Sequence, residues 1–549
     1  MTAELEAAVP IPLIRSFARF LWPSLLLALG LIVTLLPCLY NGTFPGDDID
    51  ARFNNIVLEH VYRWCRGLEP SLWSPGYYFP FQNVLAFSDN LFGSMPVYGL
   101  LRYLGLDRWG AYQGWWAISF VLNFIACHVA MTRIGFRAIA GAFGAFVFCF
   151  ALPVFGNKLH AQLAYRCGIP IAVGALYEFD SSGGLRRLGW FSAALVWQFF
   201  CTIYLGVFLS MMIMVALIVL AVTGRDRAGF IRYWPIRLAS AWRLATGYER
   251  WATVLVMVGS ALALGLLLYP YWQVTQDYGL HHDWSEISDT LPRPWSYLRS
   301  DYTHIWHLAA SLLPRPPQRW AHQLFIGAIP IYLMVKAFLG PTGTRHRRLV
   351  TSSGLTLLVL VLLTLSVDDR SLYELLVDLP GASAIRIVSR VIFVMLMPIA
   401  ILSAVGVETI LDSAAGELAA TGRVLVLLVG ALVEVGSIHH WTRDLKSWQA
   451  RIDTLQSRLP RTLPARPILY VPYVPGRPLG LDELDAMMLA QEQGWNTVVG
   501  YSGNLPPGYD RPQQCADGEK LLANYFEFRG LPLGEAYLDE RSRLVPVCP

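Results

Sequence analysis

Apolar runs of about 17 to 25 residues recur along the chain, separated by short polar or basic stretches. That is the length a helix needs to cross a hydrocarbon core of roughly 30 Å. The pattern predicts spans over 20–40, 112–131, 138–154 and 163–179, then a long run over 190–221, then 251–272, 320–336, 349–367, 390–410 and 423–440. The 190–221 run has basic clusters at both ends, which one straight helix would leave on opposite sides. Two short helices meeting near Cys201 to Gly206 keep both clusters on one side, with Gly206 serving the turn. The count is then eleven crossings.

Basic clusters set the orientation. Arg15 and Arg19, Arg133 and Arg137, Arg186 and Arg187, the 225–250 stretch and the Arg345–Arg348 cluster all fall on one side, read as cytoplasmic. This gives a cytoplasmic N-terminus over 1–19 and a transmembrane domain over 20–440 with external loops at 41–111, 273–319 and 368–389. An external tail covers 441–549. Alternation and turn residues in the tail predict strands over 468–474 and 497–501 and helices over 481–491 and 519–528. The predicted fold class is an all-α polytopic membrane protein with a small external α/β C-terminal domain.

Composition agrees. The 549 residues are 55% hydrophobic and only 15% charged, against about a quarter in soluble domains. The net charge of +4 is small and spread between spans, so it marks topology and not a nucleic-acid footprint. The eight Cys show no metal-ligand spacing. Cys515 and Cys548, both in the external tail, are candidates for a disulfide.

Candidate chemistry gathers on the outer side. Asp47, Asp48 and Asp50 open the first loop, followed by Arg52, Asn54, Glu59 and His60. Asp48, Arg52 and His60 fit one face of a helix lying along the surface, which reads equally as a capped, solvated interfacial helix. The aromatic, Pro-rich stretch Trp73–Phe81 predicts a loop packed on the bilayer or over a cavity. His160 and Gln162 follow span three, in a turn with Asn157 and Lys158, and Tyr204 sits at the apex of the expected hairpin. Arg386 and Arg390 stand four apart before span ten, a spacing that suits two guanidiniums gripping a lipid phosphate. Glu434 is a lone carboxylate inside the last span.

These parts suit transfer of a sugar from a polyprenyl phosphate. A first-loop carboxylate takes the proton of an attacking hydroxyl, and basic groups offset charge on the departing phosphate. A transporter or flippase of lipid-linked sugars and a non-catalytic envelope assembly protein are the alternative readings.

Several segments carry a resemblance: PGDDIDARFNN with LEHVYRW, NKLHAQL, WQFFCTIYLGVF, PGASAIRIVSRVIF and NTVVGYSGNLPPGY. The chain resembles the GT-C class of membrane glycosyltransferases, in particular the bacterial YfhO-like branch. The resemblance implies a GT-C-like fold in a bacterial cytoplasmic (inner) membrane. It implies a polyprenyl-phosphate-linked sugar as donor and a glycan, lipid or protein as acceptor. The catalytic carboxylate is implied at Asp47 or Asp48, with Asp48 favoured. Arg386, Arg390, His160, Gln162, Arg52, Asp50 and Tyr204 are then candidates for binding the donor phosphate or substrate. Asp48 and Asp50 match the class's paired acidic motif, which in some members holds a divalent cation (Mg or Mn) and in others does not. Val499 stands where the resembling GYSG segments carry Asn.

Overall fold

The computed structural model describes residues 11–39, 43–156, 160–224, 229–340, 344–378, 385–439, 442–511, 513–530 and 542–548. Asn157, Lys158 and residues 380–384 of the PGASAIRIVSR segment therefore lie outside the described residues. Helices occupy all the expected spans: α1 (Ile11–Thr34), α3 (Arg108–Ile134), α4 (Ala138–Phe150), α5 (Gly168–Ser182), α6 (Arg186–Cys201), α7 (Ile203–Val222), α9 (Gly247–Tyr278), α10 (Ala328–Leu339), α11 (Thr344–Thr364), α12 (Ile392–Asp412) and α13 (Glu417–Gly436). Between them lie α2 (Asp50–Cys65) and the basic amphipathic α8 (Phe230–Leu244). Among the described residues, seven helices are long and apolar enough to cross a membrane by themselves, and the segments Phe20–Thr34 and Ala328–Leu339 are shorter apolar helices. The protein is thus an all-α polytopic membrane protein.

The 190–221 run breaks in two as expected, but not into half-length pieces. The pair starts earlier, at Arg186, so α6 and α7 have 16 and 20 residues, roughly 24 and 30 Å of helix. The break is at Thr202, whose backbone is extended (φ −166°, ψ 131°). Gly206 lies inside α7, where a Cβ would strike the Phe199 ring, so it permits close packing of the two helices instead of turning the chain. The helix expected over 320–336 starts only at Ala328, leaving Trp320 free to line a cavity.

At the centre stands α12, with its whole apolar window buried. It packs against α4, α10 and α11. Gly144 faces the carbonyl of Ala400, and Gly406 faces the backbone of Leu333, so small residues let these helices touch backbone to backbone.

The tail forms a lobe on one end of the bundle. A short antiparallel pair, β1 (Thr43–Pro45) with β2 (Thr442–Asp444), joins the start of loop one to the start of the tail. Then come α14 (Leu445–Ser457), β3 (Arg466–Tyr470), α15 (Leu481–Gln493), β4 (Asn496–Thr497), α16 (Asp517–Phe528) and β5 (Ser542–Pro546). The sheet order is β4-β3-β5, all parallel. Both expected strands are shorter than the sequence suggests, and β5 carries no signal beyond its apolar residues. Cys515 and Cys548 are joined, with Cα atoms 6.0 Å apart.

Loop one is buried, which corrects the expectation of a solvated surface helix. Every residue of α2 from Ala51 to Val61 is buried. The Tyr77 and Tyr78 side chains are buried too, because Phe79 N–H donates to Thr497 O (2.9 Å) and Thr497 N–H to Gly76 O (2.7 Å), tying the aromatic stretch under the lobe. Arg52, Asp48 and His60 do not converge. Arg52 is fully buried, pairs with Asp485 on α15 at 2.5 Å and lies over the Trp448 ring of α14. His60 bonds Leu72 O at 3.0 Å.

Asp485 is shared between Arg52 and Arg451 of α14, so removing Arg52 takes one of its two cationic partners and the stacking on Trp448, at a cost below the about 3–5 kcal/mol of a fully stranded buried charge. Arg52→Ala is therefore expected to loosen the lobe, read as a lower Tm and faster proteolysis within 442–530. A wild-type digestion pattern would show that Arg52–Asp485 does not hold the lobe.

Candidate active site

At the lobe end of the bundle lies a cavity of about 240 Å³. Loop one, the 160–162 turn, the start of α7, the end of α9, the approach to α12 and the lobe segment 501–504 all contribute to its lining. The first turn of α2 points Asp50 into it. Asp50 Oδ2 bonds His160 Nδ1 at 2.6 Å, and Oδ1 accepts from the Tyr501 hydroxyl at 2.8 Å. Burial pushes the Asp50 carboxyl up, but the hydrogen bonds from His160 and Tyr501 and the charge of Arg390 outweigh it and hold the group below its ordinary value. His160 is pushed down by burial and by Arg390, with Asp50 opposing, so the imidazole favours its neutral form. Gln162 also lines the cavity and accepts from Asn54 Nδ2 at 3.0 Å.

The cations come from the segment before α12. Arg386 and Arg390 do not share a helical face as their spacing predicts. Arg386 lies in irregular chain, and Arg390 in a 3₁₀ turn over Val388–Val391. Thr290 pins this segment, its hydroxyl donating to Arg386 O at 2.6 Å and accepting from Val388 N–H at 3.1 Å. Both arginines reach the cavity all the same. Arg390 lies 4.5 Å over the ring of Tyr204, which is also in the lining, and its buried Nε has no hydrogen-bond partner. Two carboxylates act on it through space, Asp50 and Asp89.

Of the sequence candidates, Asp50, His160, Gln162, Tyr204, Arg386 and Arg390 thus converge on one cavity. Three others stand elsewhere. Asp48 turns toward the lobe, accepting from Trp448 Nε1 at 2.7 Å and pairing with Arg443 at 3.1 Å. Arg52 is taken by Asp485. Asp47 lies behind Asp50, its Oδ1 accepting from Ile49 N–H (3.2 Å) and Ala51 N–H (3.3 Å) at the start of α2.

Sequence reading missed Asp89 and Tyr501. Asp89 is a lone acid in an aromatic loop, and Tyr501 stands in the GYSG segment far along the chain. Neither has a local pattern that points to the site. The Asp48/Asp50 pair does not present a joint ligand set for a divalent cation, since the two carboxylates face different partners. Among the described residues there is no group of three or more His, Cys, Asp or Glu arranged to hold a metal ion.

No family model matches the chain, and no curated protein does. In fold, the chain is similar to the archaeal oligosaccharyltransferase AglB from Archaeoglobus fulgidus, solved in complex with an inhibitory peptide and a dolichol-phosphate. The TM-score is 0.50 at 10% identity, over 89% of this chain and 65% of that one. It is also similar to the arabinofuranosyltransferase AftD from Mycobacteria, with a TM-score of 0.51 at 15% identity, over 90% of this chain and 32% of that one. The chain thus spans just under two thirds of the first and about a third of the second. The architecture is GT-C-like, without singling out the YfhO-like branch.

Asp47 gives a pH test. Burial, and next the charge of Asp50, push its carboxyl up to about 7. An acid raised in the fold binds its proton there more tightly than in the unfolded chain. Its contribution is complete below the unfolded value near 4 and is lost as pH rises through 7. Asp47→Asn keeps an Oδ1 acceptor for Ile49 and Ala51 but carries no titrating charge. The gain in Tm over wild type is expected to grow from pH 5 to pH 8. A gain that is flat with pH would contradict this assignment.

Proposed function

We propose that the protein is a membrane glycosyltransferase. It moves a sugar from a polyprenyl-phosphate donor to a hydroxyl acceptor at the outer face of a bacterial cytoplasmic membrane. The observation that carries this reading is the shared cavity. An acid at the start of α2 and two arginines before α12 line one chamber, which also has walls from membrane helices α7 and α9. The GT-C-like fold and the lipid phosphate bound to AglB support the donor class. The basic clusters between spans support an outward-facing site.

In this reading the first-loop base is Asp50. The acceptor oxygen attacks the anomeric carbon while its proton passes to an Asp50 oxygen. The bond from that carbon to the phosphate oxygen breaks, and its electron pair leaves with the polyprenyl phosphate. His160 and Tyr501 hold the carboxylate in place. Arg386 and Arg390 stabilise the charge on the departing phosphate. Arg390 suits this role because its stacking on Tyr204 fixes it while Nε stays unbonded. Preorganised donors of this kind lower a barrier without reorganising during the reaction.

The test is complementation of a gene deletion, read by mass analysis of polyprenyl-linked sugars and surface glycans. The deletion is expected to accumulate a polyprenyl-phosphate sugar and to lose a glycan. Asp50→Asn is expected to behave like the deletion, with transfer down by at least about 100-fold, while Asp48→Asn restores the product. The opposite result would move the base to Asp48. An unchanged lipid and glycan profile in the deletion would remove the transferase reading.

A further inference from the structure

Asp89 has no role in the reaction described above, yet its carboxylate lines the same cavity and is buried, with 7% of the residue exposed. One of its oxygens serves the start of α7. Asp89 Oδ1 accepts from the Thr202 hydroxyl at 2.9 Å and from Ile203 N–H at 2.8 Å. Its neighbours extend the clasp. Asn90 Nδ2 donates to Phe199 O at 3.3 Å, and Gly93 N–H donates to Phe200 O at 2.6 Å. The loop therefore fixes the α6–α7 junction, and with it Tyr204, the ring beneath Arg390. Burial pushes the Asp89 carboxyl up, and the charge of Arg390, in the lining of the same cavity, opposes that rise.

This places an acid in the same chamber as the cation that would hold the phosphate. The consequence follows from the charge change in the reaction. A sugar phosphodiester carries about one negative charge, whereas the phosphate monoester left behind approaches two at neutral pH. A chamber with only cations around it would hold the product more tightly than the donor.

We propose that Asp89 is a positioning residue that acts through Arg390: it fixes the Tyr204 platform and opposes part of the Arg390 charge, which limits the grip on the polyprenyl phosphate product and sets its release. The inference rests on the transferase reading above.

The experiment measures equilibrium binding of undecaprenyl phosphate to the purified full chain in lipid nanodiscs. Asp89→Asn keeps an acceptor for Thr202 and Ile203 and removes the charge. It is expected to bind undecaprenyl phosphate about threefold to tenfold more tightly than wild type. In an Arg390→Gln background the same substitution is expected to change nothing, since the effect runs through that guanidinium. Asp89→Ser carries the same expectation and serves where the amide variant does not fold. Unchanged or weaker binding by a folded variant overturns the proposal, as does an equal gain without Arg390. A role confined to capping α7 would lower Tm without moving the dissociation constant, which also overturns it. If wild type and Arg390→Gln bind the lipid phosphate equally, the donor assignment itself fails, and that outcome is separable from the others.

Discussion

The first N–H groups of a helix have no partner within the helix, and inside a membrane no water supplies one. Here carboxylates from elsewhere in the chain meet that need. Glu434, near the end of α13, accepts from Ala328 N–H (2.7 Å) and Ile329 N–H (3.2 Å) at the start of α10. Glu408 on α12 accepts from Arg137 N–H (2.7 Å) at the start of α4. Asp89 does the same for α7 and Asp47 for α2. Glu434, Glu408 and Asp89 each join two elements distant in sequence, whereas Asp47 caps the helix it directly precedes, and all four are favoured by the positive end of the helix dipole. The lone carboxylate in the last span is thereby accounted for as a helix cap.

The site is assembled from the same joints. Of the four capping acids Asp89 lines the cavity and Asp47 lies behind Asp50, and the Oδ1 of each is committed to a helix start. Asp50 is committed to His160 and Tyr501. The negative groups are thus held in place by bonds of their own, while Arg390 rests on an aromatic face with Nε unbonded. The result is a fixed cation with donor capacity in a field shaped by fixed acids. Such an arrangement would let an anion bind with little rearrangement, as the proposed reaction requires.

The lobe is part of this arrangement and not an appendage. Its segment 501–504 lines the cavity, and Tyr501 reaches an acid 451 positions earlier in the chain. Strand pairing of β1 with β2, the Arg52–Asp485 pair and the burial of Tyr77 and Tyr78 hold loop one and lobe together. Asp48 is used up in the same contact, on Trp448 and Arg443. Of three acids in four positions, one faces the lobe, one caps the helix and one faces the chamber.

The sequence by itself determined the membrane helices, the break between α6 and α7, the separate C-terminal lobe and the two zones from which the site is drawn, and it offered Cys515 and Cys548 as a candidate pair. Those features follow from local properties: hydropathy over one span, charge at its ends and turn chemistry between them. Only the tertiary structure decided which first-loop acid enters the cavity. Successive residues at a helix start point in different directions, and the partners that select among them are far away in sequence. The same holds for Arg386 and Arg390, whose convergence depends on Thr290 pinning irregular chain and not on helical spacing. Asp89 and Tyr501 were invisible for the same reason, since a lone polar residue acquires its role from neighbours that folding alone supplies.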